Sequence, residues 1–141
     1  MGVGEAKPAG MGWVNPYLPV RDVGAAMDFY ARAFGLEPGQ VYATPSGRVL
    51  YGEVRHETGA VLLGRPTGNP AAPGGQTAGG STLYCYTRDL DTLTRRALAA
   101  GALQAFPAQD EAWGDRVAGF CDPEGHVWMW AERMAGGEGG A

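Results

Sequence analysis

Few side chains in this 141-residue chain could do bond-making chemistry, and those with a recognition role are mostly aromatic. There are two histidines, His56 and His126. His56 stands in a charged stretch with Glu53, Arg55 and Glu57, which reads as a solvated strand edge. Glu53 and His56 are three apart, so a strand would point them to opposite faces and they could not share an ion. His126 follows the turn sequence Asp122-Pro123-Glu124-Gly125, where an imidazole serves to tie backbone groups of the turn. Cys85 and Cys121 are far apart, each in an apolar run and outside any CxxC spacing, as small buried hydrophobes are. There is no GxSxG, HExxH or P-loop. The glycine-rich run Gly74-Gly75-Gln76 lacks the Lys and following helix that cradling a phosphate requires. What remains is phenol and indole. Trp113 stands in a loop-like run, Glu111-Ala112-Trp113-Gly114-Asp115-Arg116, in which Asp115 and Arg116 either orient a polar ligand or pin the loop. Such residues bind by stacking, through one polar tip, and by attraction of a cation to the ring face.

The elements that must position these groups come in two similar halves. In the first, Val20-Arg21-Asp22-Val23 opens a helical pattern that ends at Gly35; in the second, Thr87-Arg88-Asp89-Leu90 opens one that ends at Gly101. Asp22 and Asp89 are N-cap candidates, because a carboxylate accepts from the free N–H groups of the first turn. Gly35 and Gly101 suit the left-handed residue that closes a helix. Val23, Ala26, Met27, Tyr30, Ala33 and Phe34 form one apolar stripe, and Leu90, Leu93, Ala97 and Ala100 a thinner one. One strand-like run precedes each helix, at 13–20 and 81–87. Three follow each, at 40–44, 48–54 and 60–64 and at 103–108, 116–121 and 127–132, separated by turn signals. The pattern is βαβββ twice, an α+β chain. Each four-stranded sheet with one helix has a face left to cover, and two such sheets brought together would cover those faces and leave a cleft. Residues 65–80, dense in Gly, Pro and Ala, read as a linker between module one (13–64) and module two (81–133); residues 1–12 and 134–141 read as flexible tails.

Composition bounds the rest. Apolar residues make up 45% of the chain, with four Trp, six Tyr and four Phe, enough for a folded core. The net charge is −4 and no basic run exceeds Arg95-Arg96, which argues against nucleic acid as a partner. No apolar run approaches a membrane span and no signal-peptide pattern opens the chain, so a cytoplasmic protein is expected.

The run Asn15-Pro16-Tyr17-Leu18-Pro19-Val20-Arg21-Asp22, followed by Ala25-Ala26-Met27-Asp28-Phe29-Tyr30 and Ala33-Phe34-Gly35, resembles the opening of the vicinal oxygen chelate superfamily. Trp113-Gly114-Asp115-Arg116 and Asp122-Pro123-Glu124-Gly125-His126-Val127-Trp128 resemble its closing half. The superfamily includes glyoxalase I, extradiol dioxygenases and bleomycin-resistance proteins; the resemblance spans about residues 13–133 and is strongest to the glyoxalase/bleomycin-resistance-like branch. It implies two βαβββ modules forming a curled mixed sheet. Metal-using members take ligands from four strand positions, which fall here on Asn15, Thr82, Met129 and a position near Val61. An amide, a hydroxyl, a thioether and an alkyl group make a poor divalent site, so no metal and no other cofactor is expected.

If Asn15 and Thr82 face the cleft as ligand positions do in such relatives, strand alternation brings Tyr17, Tyr84, Tyr86 and Met129 to it as well, with Leu83, Cys85, Trp128 and Trp130 turned to the helix side. Tyr51, Trp113 and Arg116 complete the candidate ligand-binding set, with Trp113 either a lid over the cleft or a plug at a subunit interface. The resemblance further implies a homodimer. The expected function is metal-independent binding of a small organic molecule, aromatic or cationic, such as an antibiotic. The rival is a metal-dependent lyase, isomerase or dioxygenase.

Overall fold

A computed structural model of the chain describes residues 6–68 and 75–135. Its elements run β1 (Tyr17–Pro19), α1 (Val23–Phe34), β2 (Glu37–Ala43), β3 (Val49–His56), β4 (Gly59–Gly64), β5 (Thr82–Tyr86), α2 (Leu90–Ala99), β6 (Leu103–Asp110), β7 (Asp115–Cys121) and β8 (Val127–Arg133). They form two four-stranded mixed sheets, ordered β1-β4-β3-β2 and β5-β8-β7-β6. In each, the first strand pairs parallel to the fourth and the other pairs are antiparallel. The chain is therefore α+β, with the βαβββ unit repeated.

Among the described residues two compact units result: 6–31 with 35–68 and 75–78, and 32–34 with 79–135. In the first, the Asp22 carboxylate caps α1 by accepting from the Ala25 N–H at 3.0 Å. Such a cap contributes about 1 kcal/mol. Gly35 closes the helix at φ 71°, where only glycine sits without strain. Val23, Ala26, Met27 and Tyr30 are buried, as their spacing predicts. Gly52 of β3 has no side chain because a Cβ there would overlap the Met27 sulfur. The face carrying Gly52, Val54 and Leu63 thus packs under α1.

In the second unit Asp89 caps α2 by accepting from Thr92 N–H at 3.0 Å, and Leu90, Leu93 and Ala97 are buried. The Glu132 carboxylate accepts from Leu90 N–H at 2.7 Å, tying β8 to the start of α2. The Phe34 ring lies 5.2 Å from Trp128 and 5.5 Å from Trp130, both fully buried, and 6.3 Å from Phe120. Burial of each such ring stabilises by about 2–3 kcal/mol.

Several expectations change. Strand 13–20 is only Tyr17–Pro19: Trp13 and Val14 are 77% and 90% exposed, and the Asn15 amide donates to Gly12 O at 2.8 Å in a local turn. Three strands extend past their expected ends, and β2 begins at Glu37 rather than residue 40. Its Pro38, like Pro107 of β6, is tolerated because each lies on a sheet edge. Of the expected flexible residues 1–12, Gly10 and Met11 are held by Arg55, whose guanidinium donates to Gly10 O at 2.9 Å. At the expected linker, Gln76 N–H donates to Thr67 O at 3.0 Å; residues 1–5, 69–74 (with Gly74) and 136–141 lie outside the described residues.

Candidate functional site

Strand alternation puts Thr82, Tyr84 and Tyr86 on one face of β5, while Leu83 is buried on the other. The β5–β8 register sets Tyr84 beside Met129 and Tyr86 beside Ala131. The β7–β8 register sets Asp115 beside Arg133 and Val117 beside Ala131. Thr82, Tyr84, Tyr86, Met129, Asp115 and Arg133 therefore share one face of the second sheet. Phe106 joins them, its ring lying where a Cβ on Gly119 would stand.

The centre of this face is Asp115, which is fully buried. One carboxylate oxygen, Oδ2, accepts from the Tyr84 hydroxyl at 2.6 Å and from the Tyr86 hydroxyl at 2.7 Å. The Trp113 indole N–H in turn donates to the Tyr84 oxygen at 3.1 Å. The two tyrosine rings meet edge to face, centroids 5.6 Å apart. Tyr84, Tyr86 and Trp113 remain 41%, 49% and 48% exposed. Three aromatic bodies thus open to solvent while two hydroxyls meet on one buried anion and the indole N–H bonds to one of those hydroxyls. The other oxygen, Oδ1, has no hydrogen-bond donor among the described residues; Arg133 Nη1 stands 3.8 Å away. The loop that presents Trp113 is held by Glu111 N–H to Asp115 O at 2.8 Å and Met134 N–H to Gly114 O at 2.9 Å.

Charge on this face is set by that arrangement. Burial works to raise the Asp115 carboxyl, but the Tyr84 and Tyr86 hydrogen bonds and the Arg133 charge outweigh it and hold the group below its ordinary value. The Tyr84 phenol is pushed up to about 12, by burial first and then by its bond to Asp115. Tyr86 is raised chiefly by its hydrogen bond to the same carboxylate. Cys85 faces the other way, and burial pushes its thiol up to about 12, far from a reactive thiolate.

The first unit carries a separate polar face. Tyr17 pairs with Leu62, Glu53 with Leu62 and Tyr51 with Gly64, so Tyr17, Glu53 and Tyr51 share a side. Gly64 lacks a side chain where the Tyr17 ring lies, and the Tyr17 hydroxyl donates to Arg65 O at 3.1 Å. Glu53 is buried, not at a solvated edge as its charged neighbours suggest. It accepts from Arg55 at 3.0 Å and, at 3.4 Å, from the Tyr51 hydroxyl. Burial and Glu53 raise the Tyr51 phenol. The space around Glu53 exists because Gly39 has no Cβ, which would stand 2.9 Å from Oε1.

Of the predicted set, Thr82, Tyr84, Tyr86 and Met129 share the second face and Trp113 bonds into it. Tyr17 and Tyr51 share the first. Asn15 lies off the strand in its turn, and Arg116 does not join the tyrosines. Arg116 pairs with Glu132 on the α2 side of the second sheet and is exposed; its neighbour Asp115 holds the place instead. Asp115, Arg133 and Glu53 are the residues that sequence reasoning passed over or underrated. The signal for Asp115 was parity: it is even-spaced with Val117 and Gly119, on the side opposite Arg116.

The positions where relatives hold an ion do not fit one. Thr82 and Met129 offer a hydroxyl and a thioether, and Asn15 lies off the strand, its amide nitrogen donating to Gly12 O. Val61 pairs with Val54 on the α1 side, a register slip from the expected position; Leu62, beside Tyr17, is no better a ligand. Among the described residues no three His, Cys, Asp or Glu side chains gather. His126 serves the turn: its Nδ1 accepts from Ser81 N–H at 3.0 Å, while Asp122 accepts from the Glu124 and His126 N–H groups. No described helix is long and apolar enough to cross a membrane.

This doubled βαβββ arrangement defines the class of fold to which the chain belongs. The chain belongs to the Glyoxalase/Bleomycin resistance protein/Dioxygenase superfamily, whose family model matches residues 10–130. It is 33% identical over 124 residues to the uncharacterized protein Rv0887c of Mycobacterium tuberculosis, covering 82% of this chain and 71% of that one. The crystal structure of TioX from Micromonospora sp. ML1 is 28% identical with a TM-score of 0.68, covering 86% of this chain and 99% of TioX. That of TnmS3, an antibiotic binding protein from Streptomyces sp. CB03234, shares the fold at 24% identity and a TM-score of 0.65, covering 83% and 91%.

Proposed function

We propose that this chain is a metal-independent binding protein for a small aromatic or cationic organic molecule, which it sequesters rather than transforms. The observation that carries the reading is the convergence of the Tyr84 and Tyr86 hydroxyls on the buried Asp115 carboxylate, with the Trp113 indole bonded to Tyr84. Each ring gives up its polar tip to the protein and keeps its face for a ligand. Faces of this kind bind by stacking and, with an anion behind them, favour a cation over the ring. A phenol held up at about 12 beside an ionised carboxylate is a poor proton donor or acceptor near neutrality, which suits binding more than acid–base catalysis. The fold is one in which TnmS3 binds an antibiotic. Candidate ligands therefore include antibiotics with planar, positively charged rings. A cytoplasmic homodimer is part of the same proposal.

The test is a tryptophan-fluorescence titration with planar aromatics, cationic and neutral, bleomycin among them. Saturable quenching that favours the cationic members, and a tenfold or greater loss of affinity in Trp113→Ala with unchanged circular dichroism, are expected. One equivalent of transition metal in the purified protein, lost when residues of these faces are replaced, would overturn it in favour of a metal-dependent lyase, isomerase or dioxygenase.

A further inference from the structure

We infer that the first unit carries a second binding site, for a small dianion such as a phosphate monoester or free phosphate, in a pocket whose lining holds no aromatic side chain. A cavity of about 410 Å³ opens there, lined by Arg21, Asp22, Gly24, Arg48, Val49 and Arg65. The residues come from three separate places in the chain. Arg21 and Asp22 precede α1, Arg48 sits in the β2–β3 turn, and Arg65 follows β4.

Three guanidinium groups stand here against one carboxylate. The lining therefore carries a net charge near +2 in a chain whose total is −4. A guest of charge near −2 complements this lining. The Asp22 carboxylate caps α1, its Oδ1 accepting from Ala25 N–H at 3.0 Å. Arg48 and Arg65 make no side-chain hydrogen bond or ion pair with any described residue. Both are exposed, yet their backbones are fixed. Arg48 N–H donates to the Thr44 hydroxyl at 3.0 Å, and Arg65 O accepts from Tyr17. Two fork-shaped donor groups on fixed backbone, without a side-chain partner among the described residues, match the oxygen pairs of phosphate. Gly24 adds no side chain to fill the space, and the volume falls in the range of small-molecule pockets, well beyond a bare ion. A phosphate on a larger organic body is thus accommodated.

The inference is independent of the aromatic face and would stand if that reading failed. Its test is calorimetric titration of the whole chain with inorganic phosphate and with phenyl phosphate, at ionic strength held constant with chloride. Saturable binding of one dianion per chain is expected, with about a tenfold loss in Arg48→Ala and again in Arg65→Ala. Arg95→Ala, which removes one positive charge from α2, should change nothing. Tighter binding of phenyl phosphate marks an organic phosphate as the guest, and equal affinities mark free phosphate. Absence of saturable heat for both anions, or affinities unmoved by Arg48→Ala and Arg65→Ala, would overturn the assignment. Both variants alter exposed side chains, and unchanged thermal melts confirm that they fold.

Discussion

Replacing Asp115 by Asn keeps the shape of the side chain and removes its charge, which isolates what the anion does for the aromatic face. The carboxylate accepts two hydroxyls at 2.6 and 2.7 Å, the short distances of charge-assisted bonds. Such bonds contribute about 1.5–3 kcal/mol each, against about 0.5–1.5 for neutral ones, so neutralising the acceptor costs about 1 kcal/mol per bond. Tyr84 and Tyr86 are almost half exposed, and water takes over part of each loss. The expected cost in stability at pH 7 is therefore about 1–2 kcal/mol, or about 4–6 °C in Tm for a domain of this size. The pH dependence gives a sharper check. The folded carboxyl is held below the unfolded value of about 3.9, so its contribution is complete above that pH and drains away as pH falls through the folded value. Urea melts of wild type and Asp115→Asn should differ at pH 7 and converge toward pH 2. Equal stability at pH 7, or a gap that persists undiminished in acid, would refute the network as drawn.

Two further outcomes follow from the same geometry. Alkaline titration at 295 nm should show a tyrosine ionising near pH 12, absent in Tyr84→Phe; because that phenol is raised in the fold, the stability it contributes is intact below about pH 10 and lost as pH climbs toward 12. Gly35→Val forces a β-branched side chain to φ 71° at the end of α1, and should cost about 1–2 kcal/mol, read as a lower midpoint in urea with the slope unchanged.

The βαβββ repeat was legible because its signals are local. Asp22 and Asp89 cap, Gly35 closes, and the apolar stripes of both helices recur at helical spacing, each a choice made within one or two turns. The faces of β5 and β8 were legible for the same reason: alternation alone separates Tyr84 from Leu83 and Met129 from Trp130. What could not be read locally were register and partner. Arg116 looked like a binding residue, since a guanidinium beside Trp113 is an attractive constellation. A strand beginning at Asp115 sends the two neighbours to opposite sides, and only pairing with β8 shows which side holds the tyrosines. Glu53 looked solvated because its neighbours are charged. It is buried by Gly39 on the adjacent strand and by Arg55 two residues along, and no window of sequence around it contains Gly39. Strand 13–20 was overextended because Trp13 and Val14 have strand-forming side chains, whereas the Asn15-to-Gly12 bond turns the backbone away before β1.

The charge state of the aromatic face makes one further demand on the proposed function. Its groups are the Asp115 carboxylate, held down, the Tyr84 and Tyr86 phenols, held up, and the Arg133 guanidinium. His126 does not share this face: it is buried in its turn with Nδ1 engaged by Ser81. The carboxylate, held down, and the two phenols, held up, keep their charge states between pH 5 and pH 7.5. Affinity for a permanently charged aromatic cation should therefore be flat across that range, within about a factor of two, when followed by tryptophan quenching. For a ligand that titrates there itself, affinity should track the ligand's own ionisation and nothing else. A sigmoidal dependence for the permanent cation would require a protein group that ionises near neutrality in contact with the ligand. Such a group is what a catalytic face needs and a binding face does not, so that single curve discriminates sequestration from turnover.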